Sequence, residues 1–164
     1  HRLGRLGEVN FFPSGGTIEL DGVSVLTVPT PHDGTEGVAF VVVSGGKRLG
    51  ILTDLGHVFD GLLPLVSSLD AVFMESNYDP EMLARGPYPA FLKRRIKGPE
   101  GHISNTEAAE LLHAAPGLKW ACLSHLSENN NDPALALRTH RRVLGGGLPL
   151  YAASRTAPTG VFTL

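Results

Sequence analysis

Apolar positions in the first third of the chain fall in short runs separated by glycine pairs. Glu8 to Phe12, Thr17 to Leu20, Val23 to Val28, Val38 to Val43 and Arg48 to Thr53 read as strands, with Gly15-Gly16 and Gly45-Gly46 as hairpin turns. This region is predicted to be a β-meander. From Gly56 the period changes. Val58, Leu62, Leu65, Val66 and Leu69 recur at helical spacing, with Pro64 expected to kink or divide the helix, and Ala71 to Met74 reads as the next strand. Strand, helix and strand in that order predict a βαβ unit. Asp79-Pro80 and Tyr88-Pro89 each read as a cap followed by proline at the first helical position, the second helix carrying Lys93, Arg94, Arg95 and Lys97. Ser104-Asn105-Thr106-Glu107 is a capping box opening a helix that ends near Pro116-Gly117. Leu118 to Leu123 is then a buried strand, Asp132-Pro133 starts a helix that stops at Gly145, and Leu148 to Ala153 is the last strand.

Composition narrows the class. The 164 residues are 42% hydrophobic and 18% charged, which fits one globular α/β domain. A net charge of −2 argues against gripping nucleic acid with the whole surface, so any phosphate binding must be focal. No apolar run approaches the roughly 20 residues of a membrane helix, and no charged-then-apolar leader opens the chain, which reads as cytoplasmic with no membrane partner. The single cysteine, Cys122, lies in the apolar stretch Trp120 to Leu123 and reads as a packed thiol.

Three residues share one kind of address. His32 follows a strand in "TPHDG", Asp54 ends the strand in "ILTDLG", and His125 ends the strand in "CLSHL". In α/β sheets ligands gather beyond the C-terminal ends of strands, so the three side chains are placed to converge. Two neutral imidazoles and a carboxylate suit zinc or another divalent first-row metal. The alternative is three independent surface or hydrogen-bonded residues. His57 is expected at a helix start, either exposed or supporting the site from behind, and His113 and His140 are expected to be solvated on helices. His102 stands two residues before the N-cap Ser104, beside free backbone amides where anions bind. It reads either as a proton donor to a leaving oxygen, with Ser104 and Asn105 at the helix end holding a phosphate, or as a brace for the turn at Gly101.

The ordered set "TPHDGTEGVAF", "ILTDLG", "VFMESNYD", "YPAFLKRRIKGPEGHISN" and "CLSHLSENNN" resembles the metallo-β-lactamase superfamily, and within it the YycJ/WalJ-type hydrolases. The resemblance runs from about Gly15 to Arg155. It implies an αββα sandwich in which His32 and His125 each ligate one of two divalent ions, zinc or manganese, while Asp54 bridges them. It implies that His102 assists proton transfer near the scissile phosphate, that Glu75 and Asn77 of the "ESNYD" segment support the site and substrate, and that Lys93 and Arg94 contact nucleic-acid phosphates, a solvated helix face being the alternative. The implied reaction is phosphodiester hydrolysis, catalysed with Asp54 and His102. The YycJ/WalJ type implies a DNA exonuclease, whereas the more distant tRNA-processing relatives imply RNA.

One departure stands out. The His-x-His-x-Asp-His motif that supplies most ligands in this superfamily occurs nowhere in the 164 residues. The sequence therefore reads as the C-terminal portion of a single metallo-β-lactamase-like domain, with an incomplete αββα sandwich and weak metal binding on its own. An apolar sheet face is then expected to be open, favouring self-association or a complementing N-terminal segment. Two other functions remain open at this stage: a small-molecule phosphodiesterase or other hydrolase of the same superfamily, and a metal-free interaction or scaffold module.

Overall fold

The computed structural model describes residues 9–164. Seven strands form one sheet in sequence order: β1 (Thr17–Leu20), β2 (Val23–Pro29), β3 (Val38–Ser44), β4 (Lys47–Leu52), β5 (Ala71–Glu75), β6 (Trp120–Ser124) and β7 (Leu150–Ala152). The first three pairings are antiparallel and the last three parallel. Tight turns build the first half and helical crossovers the second, as the change of hydrophobic period requires. The helices are α1 (Leu62–Ser67), α2 (Pro80–Arg85), α3 (Ala90–Lys97), α4 (Asn105–His113) and α5 (Pro133–Leu144). None is long and apolar enough to cross a membrane.

Local chemistry accounts for the element ends. Asp79 and Asp132 accept backbone amides at the starts of α2 and α5, each with proline in the first turn. The capping box of α4 forms with Ser104 and Glu107 in the reciprocal roles. Gly45 and Gly46 both take positive φ in the β3–β4 turn, the backbone twist that a two-residue hairpin needs.

Several expectations are corrected. Residues 9–12 form no strand, and Glu8 lies outside the described residues. The first hairpin turns at Asp21-Gly22, both at positive φ, rather than at Gly15-Gly16. The Gly15-Gly16 pair instead makes a turn before β1, with the Gly16 amide donating to the Pro13 carbonyl. Helix α1 begins only at Leu62, so Pro64 sits in the first turn, where no intrahelical donor is lost and no kink arises. His57 consequently starts no helix. Pro89 caps α3 from outside rather than occupying its first position. His140 is fully buried rather than solvated, its Nδ1 donating to the Ala136 carbonyl at 2.9 Å.

The two faces of the sheet differ. On one, Val41, Leu52, Val72, Met74, Ala121 and Leu123 pack with Leu62 and Val66 of α1, Ala108 and Leu112 of α4 and Ala136 of α5 in a closed core. On the other, Trp120, Phe73 and Cys122 are covered by the C-terminal segment, where Phe162 stacks on Trp120 and the Trp120 indole donates to the Thr163 carbonyl. Burial pushes the Cys122 thiol up to about 11, as expected of a packed thiol. The second sheet and helical layer of an αββα sandwich are not among the described residues.

Candidate metal centre

Strand direction collects the site. Strands β4, β5 and β6 run parallel, with Leu52 beside Met74 and Met74 beside Leu123. Asp54, Glu75 and His125 therefore lie at neighbouring strand ends. Strand β2 is antiparallel to β3, which is antiparallel to β4, so the loop after Pro29 that carries His32 leaves from the same rim. Asp54 and His125 both adopt left-handed backbone, at φ 56° and 55°. Non-glycine residues pay for that conformation, and such strain persists where the surroundings fix it. At His125 the fixing group is Asn77, whose amide donates to the His125 carbonyl at 2.9 Å.

Two glycines let the loops close. A Cβ on Gly56, which has φ 67°, would collide with the Pro31 and Pro99 carbonyl oxygens, and one on Gly101 would collide with the Ile96 carbonyl. Against this compact backbone the His32 Nδ1 donates to the Gly101 carbonyl at 2.8 Å, and His57 Nδ1 donates to Pro99 at 2.7 Å. His57 thus braces the 99–101 turn and stands outside the cluster.

The imidazoles are oriented from behind by one carboxylate. Glu75 is fully buried, and its Oε1 accepts from His102 Nδ1 at 2.6 Å and His125 Nδ1 at 3.1 Å, while Oε2 accepts the Leu55 amide at 2.7 Å. Burial pushes the Glu75 carboxyl up, but these hydrogen bonds outweigh it and hold it below the ordinary carboxylate value. The reciprocal effect raises His125 above the ordinary imidazole value, chiefly through the hydrogen bond to Glu75. With Nδ1 committed, the Nε2 atoms of His32 and His125 are left to meet other groups. They lie 3.4 and 3.7 Å from the same oxygen, Asp54 Oδ1. The His102 ring sits between the other two, with centroids 4.8 Å from His32 and 5.1 Å from His125.

This donor set fits a divalent metal. His32, Asp54 and His102 offer ligand atoms within 4.8 Å of one another, as do Glu75, His102 and His125. The second grouping is better read as support, because a buried carboxylate on the far nitrogens of two imidazoles fixes their tautomer and leaves Nε2 as the ligand atom.

The structure brings His32, Asp54, His102, His125 and Glu75 together with Asn77 beside them, and places Ser104, Asn105, Lys93 and Arg94 elsewhere. Ser104 is buried and spent on the α4 cap. Asn105 is fully buried in an amide network, taking a hydrogen bond from Ser76 and exchanging two with Asn131. Neither stands among the residues that line the adjoining cleft. Asn77 lines that cleft, with its amide on the His125 carbonyl. Lys93 turns back to the Ala84 carbonyl and Arg94 is exposed outside the cleft, the solvated-face alternative. The cleft, of about 460 Å3, holds Arg95 and Arg155 instead. Arg95 pairs with Asp33, which the adjacency of Asp33 to His32 hinted at; nothing local marked Arg155.

No protein-family profile matches the chain. It is 33% identical over 141 residues to the exodeoxyribonuclease YycJ of Bacillus anthracis, covering 85% of this chain and 50% of that protein. It is 32% identical over 132 residues to the exodeoxyribonuclease WalJ of Streptococcus pneumoniae, covering 79% and 49%. The chain thus spans about half the length of these curated relatives. Among solved structures, the metallo-β-lactamase fold protein YhfI from Bacillus subtilis superposes with a TM-score of 0.66 at 15% identity, over 92% of this chain and 53% of that one. Zn(2+)-bound PqqB from Methylobacterium extorquens superposes with a TM-score of 0.61 at 21% identity, over 86% and 49%. Fold and sequence point the same way: the chain shares the fold of metallo-β-lactamase proteins and is similar in sequence, over about four-fifths of its length, to YycJ and WalJ.

Proposed function

We propose that this chain carries part of the active site of a metal-dependent phosphodiester hydrolase, a DNA nuclease of exonuclease type. The observation that carries this reading is the approach of His32 Nε2 and His125 Nε2 to one oxygen of Asp54, with both Nδ1 atoms held from behind. What supports a DNA substrate is the similarity to two exodeoxyribonucleases.

His32, Asp54 and His125 would be the residues that hold the divalent ions, zinc or manganese. When bound, such ions would supply Lewis acidity toward a phosphoryl oxygen and a water made nucleophilic at neutral pH. In the hydrolysis a water oxygen bonds to phosphorus, the P–O bond to the leaving sugar oxygen breaks, and that oxygen takes a proton. His102 is placed to give it, because the hydrogen bond from its Nδ1 to Glu75 keeps the ring fixed on the cleft wall. Asn77 holds the His125 peptide through both states.

Three ligand residues make a weak site, since affinity follows the full preorganised set. Further ligands must come from groups these residues do not supply. Calorimetric titration of the purified 164-residue chain with zinc and with manganese tests the reading. Saturable but weak binding is expected, lost in His32→Ala, Asp54→Ala and His125→Ala. Absence of saturable binding, or binding indifferent to Asp54→Ala, would overturn it; tight occupancy by two ions per chain would overturn the incompleteness.

A further inference from the structure

The cleft beside the histidines does not end there. A second cavity, of about 320 Å3, adjoins it, and the two share His125, Leu126, Ser127, Glu128 and Arg155. Ligand pockets run from about 300 to 1,000 Å3, so each is large enough for a nucleotide-sized group. Arg155 therefore stands at the junction of two adjoining spaces, with the histidine cluster on the first.

Arg155 is held without being used up. Its Nη2 donates to the Leu126 carbonyl at 2.8 Å, and its Nη1 stands 3.9 Å from Glu128 Oε2, a long pair between half-exposed groups. Guanidinium carries five N–H donors in a planar fork, so others remain for an incoming anion. In the first cleft the other arginine is Arg95 on α3, tethered to Asp33, whose own amide is fixed to the Glu100 carbonyl. Arg95 and Arg155 are the only lysine or arginine residues lining either cavity among the described residues. The first lining also holds Asp33 and Glu128 and the second Glu128, so what an incoming anion can meet is the guanidinium donors left over by these pairs rather than a net positive charge.

We propose that Arg95 and Arg155 form a two-point phosphate clamp on a single DNA strand, Arg95 beside the histidine cluster and Arg155 on the next phosphate, where the strand passes from the first cavity into the second. The clamp rests on the DNA-nuclease reading above and adds to it the two residues that hold successive phosphates, because a lone small phosphodiester would not need the second point. It separates the chain from a small-molecule phosphodiesterase with the same histidines.

The test is fluorescence anisotropy of the metal-free 164-residue chain with labelled oligodeoxythymidylates of two, four and eight nucleotides at low salt. Affinity is expected to rise with length. R155A is expected to lose about tenfold on the eight-mer and little on the dinucleotide, and R95A to lose on all three. Each substitution lowers the slope of log affinity against log salt by about 0.7, the single-strand value per phosphate contact. R155K keeps the salt slope and loses part of the affinity. R85A, at an exposed arginine paired with Glu81 and outside both cavities, makes the same charge change and serves as control.

Equal losses in R155A and R85A, a length dependence unchanged by R155A, or no detectable binding of the eight-mer would overturn the clamp. Those outcomes leave the zinc titration untouched. Conversely, clamp-dependent DNA binding with no saturable zinc or manganese binding would remove the hydrolase reading alone.

Discussion

The two faces of the sheet were built to different degrees of closure. Against the helices, Val41, Leu52, Val72, Met74 and Leu123 are all 0% exposed. On the opposite face Ile51 is 37% and Tyr151 43% exposed, Phe40, Val42 and Leu49 are half-buried, and cover comes from the C-terminal segment and from Phe12 against Phe40. The helical side is a self-sufficient core, whereas the other side holds apolar area that the described residues only partly remove from water. The candidate metal site lies at the rim between them, and Glu75, which hydrogen-bonds two of its histidines, shares the alternation of Ala71 and Phe73 on the less covered side.

The sharpest test of that contrast compares truncations across the sheet. Leu123→Ala and Met74→Ala should each cost about 2–5 kcal/mol by leaving a cavity. Ile51→Ala and Tyr151→Ala, already partly wet, should cost a fraction of that in urea unfolding. Equal costs on both faces would break the comparison.

Next in size is the rim. Glu75→Gln replaces an acceptor-only group that satisfies three N–H donors with an amide that must point donors at some of them. The expected loss is about 1–3 kcal/mol, together with weaker zinc binding. A variant as stable as the parent would mean that the Glu75 charge is dispensable.

Protonation separates core from rim with opposite signs. His140, in the helical layer, is pushed down by burial, so its contribution is present above the ordinary imidazole value of 6.5 and lost as pH falls toward its folded value. His125, at the rim, is raised by Glu75, so its contribution is full below 6.5 and lost as pH rises through its folded value. Glu75, held low by its hydrogen bonds, contributes above 4.5 and loses that as pH falls. Thermal unfolding of the metal-free chain across pH 4–9 should therefore lose its acid-side slope near 6.5 in His140→Leu and its alkaline-side slope in His125→Ala. Unchanged slopes would contradict these assignments.

The smallest effect on stability, and the one most specific to the open face, is association. Ile51→Lys with Tyr151→Lys should leave the unfolding midpoint nearly unchanged while shifting sedimentation toward the monomer, if that face drives the expected self-association. An unaltered sedimentation profile would place any association elsewhere.

Elements with local causes were legible in the sequence: the Ser104–Glu107 box, the Asp–Pro starts of α2 and α5, the Gly45-Gly46 turn. The errors came where two local signals competed. Asp21-Gly22 outranked Gly15-Gly16 as the hairpin because its flanking runs pair in register, and Pro64 kinked nothing because the helix starts after Val58. His140 looked solvated beside Arg141 and Arg142, but periodicity of 3.6 turns neighbours to different faces and sends it into the core.

By itself the sequence determined which chemistry is available: two strand-end histidines, the acid between them in the chain, a third histidine before a helix, and the family that their order resembles. Tertiary structure decided which groups share a space. Only parallel strand ends in register put Nε2 of His32 and His125 beside one oxygen of Asp54, turned Asn105 and Ser104 inward, and brought Arg95 and Arg155 to a single cleft. Sequence spacing records distance along the chain, and a site is made from distance through space.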